Sequence, residues 1–333
     1  MKTKLIVMLI GIMLMTTLFA VAKPPQKIES KSSTETMPTA YNADVPVWEI
    51  GDQWTYKIDD ISVVVEQEGK SINLHLSIAA LPLTVISTTG DFYTLEFQTT
   101  INGQYTINID SDHGPVNLSL TFTNLDISGN VIIDKSTLGI KEISTGFNKE
   151  KFSIEIKQSY IPLPNFLQKI SAKITMNISI TFNTPLSLLT FPLNTMTAWN
   201  LTSTNFTING KIQSNWLNLL NFLNNIAKLF GKELLPPKFS ALLPIIDIEE
   251  VLTALGSGNV FKIPAHYAFC LNTENITVPA GIYNAYNIIF IGGLAQCYYA
   301  PAAGNVVKIT GNFEEIIPHL KNIDMELIST NYS

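Results

Sequence analysis

The chain lacks arginine: all 21 of its basic residues are lysine. Arginine supplies the planar fork that binds phosphate and carboxylate groups bidentately. Its absence therefore argues against a nucleotide-handling or nucleic-acid-binding protein. The formal net charge of −6 points the same way, because nucleic acids attract basic surfaces. An AT-rich genome that encodes lysine in place of arginine would produce the same composition.

Charge of either sign is also scarce. Charged residues make up 14% of the chain and hydrophobic residues 46%, whereas soluble domains average about 25% charged residues. Ser, Thr and Asn supply the polarity instead. Uncharged hydrogen-bonding groups of this kind are more typical of an exported β protein than of a cytosolic enzyme.

Recognisable catalytic and metal-binding patterns are missing as well. There is no GxSxG, P-loop or GxGxxG sequence, and no HExxH. The run Asp110–Gly114 resembles a calcium loop, but its twelfth position is Thr121 rather than Glu, which favours a simple turn. We therefore predict no enzymatic activity, no cofactor and no metal. The histidines are scattered along the chain, at His75, His113, His266 and His319.

Residues 1–22 have the pattern of an export signal. Two early lysines precede the apolar run Leu5–Phe19, and Ala20-Val21-Ala22 forms a small-x-small cleavage site. The alternative is an uncleaved anchor, because the apolar run is nearly long enough to span a bilayer. Residues 23–45 are rich in Pro, Ser, Thr and Glu and predict a disordered linker. The expected location is extracytoplasmic, either secreted or anchored at the cell surface.

From residue 46 onward, apolar and polar residues alternate with period two. The clearest run is 174–182, where Ile, Met and Phe alternate with Thr, Asn and Ser, so one face is buried and one is wet. Trp54 is expected to be a core residue. Asn102-Gly103 predicts a hairpin turn and Ser128-Gly129-Asn130 a weaker one. Short links between such strands predict an antiparallel sheet.

One segment breaks this β pattern with helical spacing. Ser214–Phe230 has apolar residues at i, i+3, i+4 and i+7, followed by Gly231, which predicts a helix over 215–231. A capping-box-like start at Asp247 predicts a second helix over 247–255. The helices either fill the concave face of the sheet or cover an apolar ligand cavity. Candidate cavity residues are Trp216, Leu219, Leu220, Leu223, Ile226 and Phe230.

The two cysteines, Cys270 and Cys297, predict a disulfide in an exported chain. They lie in a C-terminal β unit with turns at Val278–Gly281 and Tyr298–Gly304. In a plain meander the cysteines would occupy first and third strands, about 9–10 Å apart, whereas a disulfide needs Cα atoms within about 7 Å. The disulfide therefore requires the two segments to be neighbours, or Cys270 to lie at a strand end.

N-x-S/T sequons mark candidate glycosylation sites. The high content of Asn, Ser and Thr would generate nearly as many sequons by chance. The candidates are Asn117, Asn177, Asn200, Asn205 and Asn275, and Asn331 also lies in a sequon.

Four short motifs are spread along the chain: Gly51–Tyr56, Phe191-Pro192-Leu193 with Trp199, Val278–Gly281, and Tyr299-Ala300-Pro301 with Gly304–Lys308. They resemble those of a group of exported prokaryotic, often archaeal, domains with a fold like that of the LolA lipoprotein carrier. The resemblance implies a strongly curved antiparallel sheet, an unclosed barrel, with helices on its concave side. In that fold the cavity can hold acyl chains.

Together these patterns predict a mostly β domain over 46–333 with a helical insertion at 214–256. Two similar halves, 46–190 and 191–333, are an alternative organisation. The first functional hypothesis is a non-enzymatic extracytoplasmic protein that binds a lipid or other apolar ligand between sheet and helices. The others are a structural or adhesive cell-envelope protein with a protein partner, and a secreted hydrolase. Membrane contact is expected only through an uncleaved N-terminal segment, and nucleic acid is not an expected partner.

Overall fold

The computed structural model describes residues 42–67, 70–111, 114–158, 169–214, 260–290, 295–315 and 319–332. Most of these residues lie in antiparallel β-strands. In the described part of the chain, no helix has the length and apolarity that a membrane span requires. The predicted helices 215–231 and 247–255, with their six cavity candidates, lie outside the described residues.

The sixteen strands of the described residues are numbered in chain order. Their bounds are β1 Asn42–Ala43, β2 Gln53–Gln67, β3 Lys70–Ser87, β4 Phe92–Ser111, β5 Gly114–Asp134, β6 Ile140–Gln158, β7 Lys169–Leu186, β8 Leu193–Asn194, β9 Thr197–Leu201, β10 Thr204–Ser214, β11 Val260–Ile263, β12 His266–Val278, β13 Gly281–Phe290, β14 Ala295–Ala300, β15 Asn305–Gly311 and β16 Leu320–Thr330. A 3₁₀ turn at Pro301–Ala303 links β14 to β15.

Fourteen strands form one sheet in the order β11-β10-β7-β6-β5-β4-β3-β2-β16-β15-β14-β13-β12-β9. β1 and β8 form a separate two-stranded sheet. The large sheet is antiparallel throughout and does not close into a barrel. This confirms the predicted fold class in its coarser form, a mostly β protein with an unclosed antiparallel sheet. The division into two halves stays a prediction.

The apolar positions of the alternation form one core cluster. Trp54 and Tyr56 are completely buried at the start of β2, which confirms the prediction for Trp54. Their polar atoms reach the 3₁₀ turn after β14 and the start of β15, because Trp54 Nε1 donates to Ala303 O (3.3 Å) and Tyr56 Oη donates to Val306 O (2.9 Å). Polar groups buried in a core are costly unless they are hydrogen-bonded, so these two bonds join the N-terminal strand to the C-terminal unit.

β9 with β10 and β11 with β12 form two extended ribbons that pair with each other, and both ribbons are interrupted at the same place. β9 and β10 are consecutive and separated by residues 202–203, while β11 and β12 are consecutive and separated by residues 264–265. The pairing keeps its register across the break, with Leu201 opposite His266 and Thr204 opposite Ile263. Both edge strands of the sheet, β9 and β11, therefore meet at this break.

Two predicted turns are wrong. Asn102-Gly103 lies within β4 and Ser128-Gly129-Asn130 within β5. At Gly103 the register with β5 shifts by a bulge, and a Cβ there would meet the side chains of Leu76 and Phe122. The glycine thus makes room for neighbouring side chains rather than for a turn. The turns predicted at Val278–Gly281 and Tyr298–Gly304 do mark connections, the second with Gly304 at φ 63°.

The predicted disulfide is also wrong. Cys270 and Cys297 are both buried and are not bonded to each other. Ile288 of β13 pairs with Cys270 on one side and with Cys297 on the other. The C-terminal unit is therefore a plain meander at this point. One whole strand separates the thiols, which places their Cα atoms about 9–10 Å apart and out of disulfide reach.

Candidate functional site

An open groove of about 850 Å³ crosses four adjacent strands, β5, β6, β7 and β10. Its volume falls within the range of about 300–1,000 Å³ that ligand sites have. None of its lining residues is charged, and Phe147 and Ile178 are its only large apolar ones. The lining consists of Ser128, Gly129, Ser144, Thr145, Gly146, Phe147, Thr175, Asn177, Ile178, Ser179, Asn209 and Gly210.

Strand register gathers the polar lining residues into two rows. Ser144 lies opposite Ser179, which in turn lies opposite Asn209. In the second row Ser128 lies opposite Gly146, which lies opposite Asn177. Directly opposed residues share a face of the sheet, and the rows are two residues apart on each strand, so both occupy the same face. Hydroxyl and amide groups from four strands thus converge on one surface.

Asn177 is positioned by the glycine opposite it. The Asn177 side chain is exposed, and its amide oxygen occupies the space where a Cβ at position 146 would lie. Such a Cβ would also lie 2.6 Å from Met176 O. A side chain at position 146 would collide with the Asn177 amide. Glycine at this position therefore allows the Asn177 amide to lie against the β6 backbone.

Buried hydrogen bonds stiffen the sheet beneath the groove. Thr145 is buried, and its Oγ1 donates to Ser128 O (3.0 Å) on the neighbouring strand. Ser179 Oγ donates to Glu142 Oε1 (3.2 Å) at the rim. The Glu142 carboxylate thereby accepts a bond from a lining residue while itself remaining outside the lining. The polar groups that line the groove are neutral donors and acceptors, and Phe147 and Ile178 add apolar surface between them.

The predicted glycosylation candidates fall into two groups. Asn177, Asn200, Asn205 and Asn275 are exposed. Asn117 Nδ2 donates to Asn108 Oδ1 (2.5 Å) within a cross-strand ladder. Outside that candidate set, Asn331 Nδ2 donates to Gly51 O (2.9 Å). The amide nitrogens of Asn117 and Asn331 are therefore already used within the fold.

The cysteines have no chemistry suited to catalysis. Burial raises the pKa of the Cys270 thiol to about 11, and burial also raises the pKa of the Cys297 thiol. A thiol acts as a nucleophile or metal ligand only as the thiolate. Within the described ranges, no group of three or more His, Cys, Asp or Glu side chains is placed to hold a metal ion.

The groove could not have been found from sequence spacing alone. The alternation in 174–182 places Asn177 and Ser179 on the polar face of β7. Their meeting with Ser128, Ser144 and Asn209 depends on register between strands that are far apart in sequence. The three glycines of the lining, Gly129, Gly146 and Gly210, are the local signal, and the sequence pattern around Gly129 predicts a turn instead.

Comparison with known proteins gives no match from which a function could be transferred. No family model, no curated protein and no solved structure matches the chain. The resemblance to LolA-like exported domains therefore stays a prediction.

Proposed function

We propose that the chain is a non-enzymatic extracytoplasmic binding protein whose groove over β5, β6, β7 and β10 takes a neutral, hydroxyl-rich ligand, such as an uncharged glycan of the cell envelope. The observation that carries this proposal is the uncharged lining of serine, threonine, asparagine and glycine. A sugar chain offers hydroxyl groups that both donate and accept hydrogen bonds, as the lining side chains do.

Charge argues against an ionic ligand. Removing an ion from water is costly unless an opposite charge compensates for the lost hydration. The lining supplies no such charge, and the chain has no arginine with which to bind phosphate or carboxylate bidentately. An anionic glycan or a phosphorylated ligand would therefore bind more weakly than its neutral counterpart.

Polarity argues against a hydrocarbon ligand in this groove. A hydroxyl or amide group covered by an apolar chain loses its water without gaining a partner, which costs about 1–3 kcal/mol for each group. Asn177 and Asn209 would each incur that cost, whereas Ser179 already donates to Glu142. A lipid held between the sheet and the 214–256 insertion remains a separate proposal, since its candidate residues lie outside the described part of the chain.

The non-enzymatic part of the proposal is supported by the chemistry around the groove. The lining groups are hydroxyls and amides, which do not titrate near neutral pH. The nucleophiles most easily activated in proteins, the two cysteines, are buried among apolar residues elsewhere. A glycan-binding role also accommodates the adhesive cell-envelope hypothesis, because attachment to an envelope polysaccharide needs binding without turnover.

The test is isothermal titration of the protein, made without glycosylation, against three probes: neutral oligosaccharides, anionic oligosaccharides and phosphatidylglycerol vesicles. We expect binding of neutral oligosaccharides, weakened about fivefold by Asn177→Ala, since one neutral hydrogen bond contributes about 1 kcal/mol. The matched control is Asn183→Ala, an exposed asparagine on the same strand outside the lining. Binding only to anions or vesicles, or equal loss in both variants, would reject the proposal.

A further inference from the structure

An exposed apolar patch lies at the β9 edge of the sheet. Met196 is 71% exposed, Tyr267 55% and Leu271 38%. Tyr267 and Leu271 are four residues apart on β12, and Leu271 lies at the β-bulge where the register with β13 shifts. Met196 precedes β9, and its backbone N–H donates to the O atom of Cys270 (2.7 Å), the residue before Leu271. The three exposed apolar side chains therefore come from two neighbouring segments at this edge, where a covering group would remove them from water.

A glycosylation sequon lies directly beside this patch. Asn200-Leu201-Thr202 ends β9, and Asn200 is the direct cross-strand partner of Tyr267. Opposed residues have Cβ atoms about 4.5–5.5 Å apart on the same face. A group attached to the Asn200 amide would therefore start next to the exposed Tyr267 ring. Aromatic rings present an apolar face on which the C–H groups of a sugar ring can pack.

The matched break between the ribbons makes this sequon accessible. Thr202 is exposed and lies in the two-residue gap between β9 and β10, outside the strand pairing. Across the gap, Pro264 and Ala265 interrupt the partner ribbon in the same place, and proline has no N–H to donate to a ladder. An enzyme that must read Asn200 and Thr202 together meets a paired asparagine at the end of β9 and an unpaired threonine two residues later.

The remaining sequons lack this combination. The Asn117 amide nitrogen donates to Asn108. Asn177 lies across Gly146 in the groove. Asn205 and Asn275 are exposed, but the threonines of their sequons, Thr207 and Thr277, lie within paired strands opposite Val260 and Ile282. Asn200 alone among these described sequons joins an exposed acceptor, a strand break and an exposed aromatic partner.

We propose that Asn200 carries an N-linked glycan whose first sugars cover the patch of Met196, Tyr267 and Leu271. The donor is an oligosaccharide activated on a lipid phosphate, and a membrane glycosyltransferase acts on the exported chain. The bond between the sugar anomeric carbon and the phosphate oxygen breaks, and a bond from that carbon to Asn200 Nδ2 forms. The lipid phosphate leaves, and the amide gives up one proton. This inference rests on export but not on the identity of the groove's ligand.

The first experiment maps occupancy by mass spectrometry in a host that glycosylates exported proteins. Every variant carries Lys31→Asn, which creates a reference sequon in the predicted linker, and the host is chosen as one that occupies position 31. Cleavage at lysine leaves Asn177, Asn200 and Asn205 on one peptide, so a second protease must cut between them. We expect a glycan mass on Asn200. An unmodified Asn200 beside an occupied position 31 would overturn the proposal.

Matched variants test the sequon itself. Thr202→Val should remove the glycan mass from Asn200, and Thr202→Ser should retain it. Thr207→Val, which destroys the neighbouring Asn205 sequon, should leave Asn200 occupied. Retention of the mass in Thr202→Val would show that the modification does not use this sequon and would overturn the assignment.

The second experiment tests the cover. Binding of a hydrophobic fluorescent dye should rise in Asn200→Gln relative to Asn205→Gln, and Tyr267→Ser in the Asn200→Gln background should remove the excess. Equal dye binding in Asn200→Gln and Asn205→Gln would show that no glycan covers the patch. Both outcomes are independent of titrations at the groove, which are made on unglycosylated protein.

Discussion

Reduction of the protein should leave its stability unchanged, because Cys270 and Cys297 are separated by β13. The perturbation is a strong reductant added to the exported, purified chain. Both thiols are buried, and burial raises the pKa of Cys270 to about 11. At pH 8 a thiol with that pKa is about one-thousandth thiolate. Native-state alkylation should therefore be very slow at both positions.

The expected change in Tm on reduction can be compared with the change that a disulfide would cause. A bond between the two cysteines would close a loop of roughly 28 residues. The lost chain entropy of the unfolded state would then stabilise the fold by about 3.6 kcal/mol. Because 1 kcal/mol shifts Tm by roughly 2–4 °C in domains of 150–250 residues, reduction would then lower Tm by about 7–14 °C. The observed meander predicts no shift.

Thermal unfolding by circular dichroism, with and without reductant, measures this directly. Alkylation after unfolding without reductant, followed by intact mass, should show two modified thiols in each chain. A fall of several degrees on reduction, or a chain that takes up no alkylating reagent until it is reduced, would refute the strand order that we describe for the C-terminal unit.

Three further predictions concern named positions. Gly146→Ala should destabilise the fold by about 1–3 kcal/mol through overpacking against Met176 O and should weaken glycan binding by displacing Asn177; unchanged denaturation and binding would contradict this. Asn331→Ala removes the bond that Asn331 Oδ1 accepts from Gln53 N–H (2.6 Å) and should cost about 1–3 kcal/mol, with faster hydrogen exchange of the Gln53 amide at the start of β2; unaltered exchange there would refute its role. Burial lowers the pKa of His266 below 6.5, so as the pH falls through 6.5 the unfolded chain takes up a proton that the folded chain does not, and stability falls. Urea denaturation at pH 7.5 and 5.5 should show a smaller loss for His266→Gln; an equal loss would exclude this contribution.

The sequence predicts those features of the fold that depend on neighbouring residues, and not those that depend on residues far apart in the chain. Alternation is a local property, so the strand character around Trp54 and Ile180 could be predicted and their burial is confirmed. Glycine is ambiguous, because Gly103 and Gly281 look alike in sequence. One is covered by Leu76 and Phe122 inside a strand, and the other follows the turn after β12.

Long-range pairing explains what the sequence could not predict. Whether Cys270 reaches Cys297 depends on which strand lies between them, and the chain alone left both arrangements open. The groove likewise exists because Ser144, Ser179 and Asn209 lie in one row, a register that no single segment encodes. The predicted helices at 215–231 and 247–255 lie outside the described residues and stay predictions.

Hydrogen–deuterium exchange with and without a bound neutral oligosaccharide tests the central proposal most directly. The account predicts added protection in peptides covering 126–147, 175–181 and 207–212, which contain the lining residues of the groove, and unchanged exchange in β13 and β14. Protection confined to strands outside β5, β6, β7 and β10, or no protection at saturating neutral oligosaccharide, would contradict it.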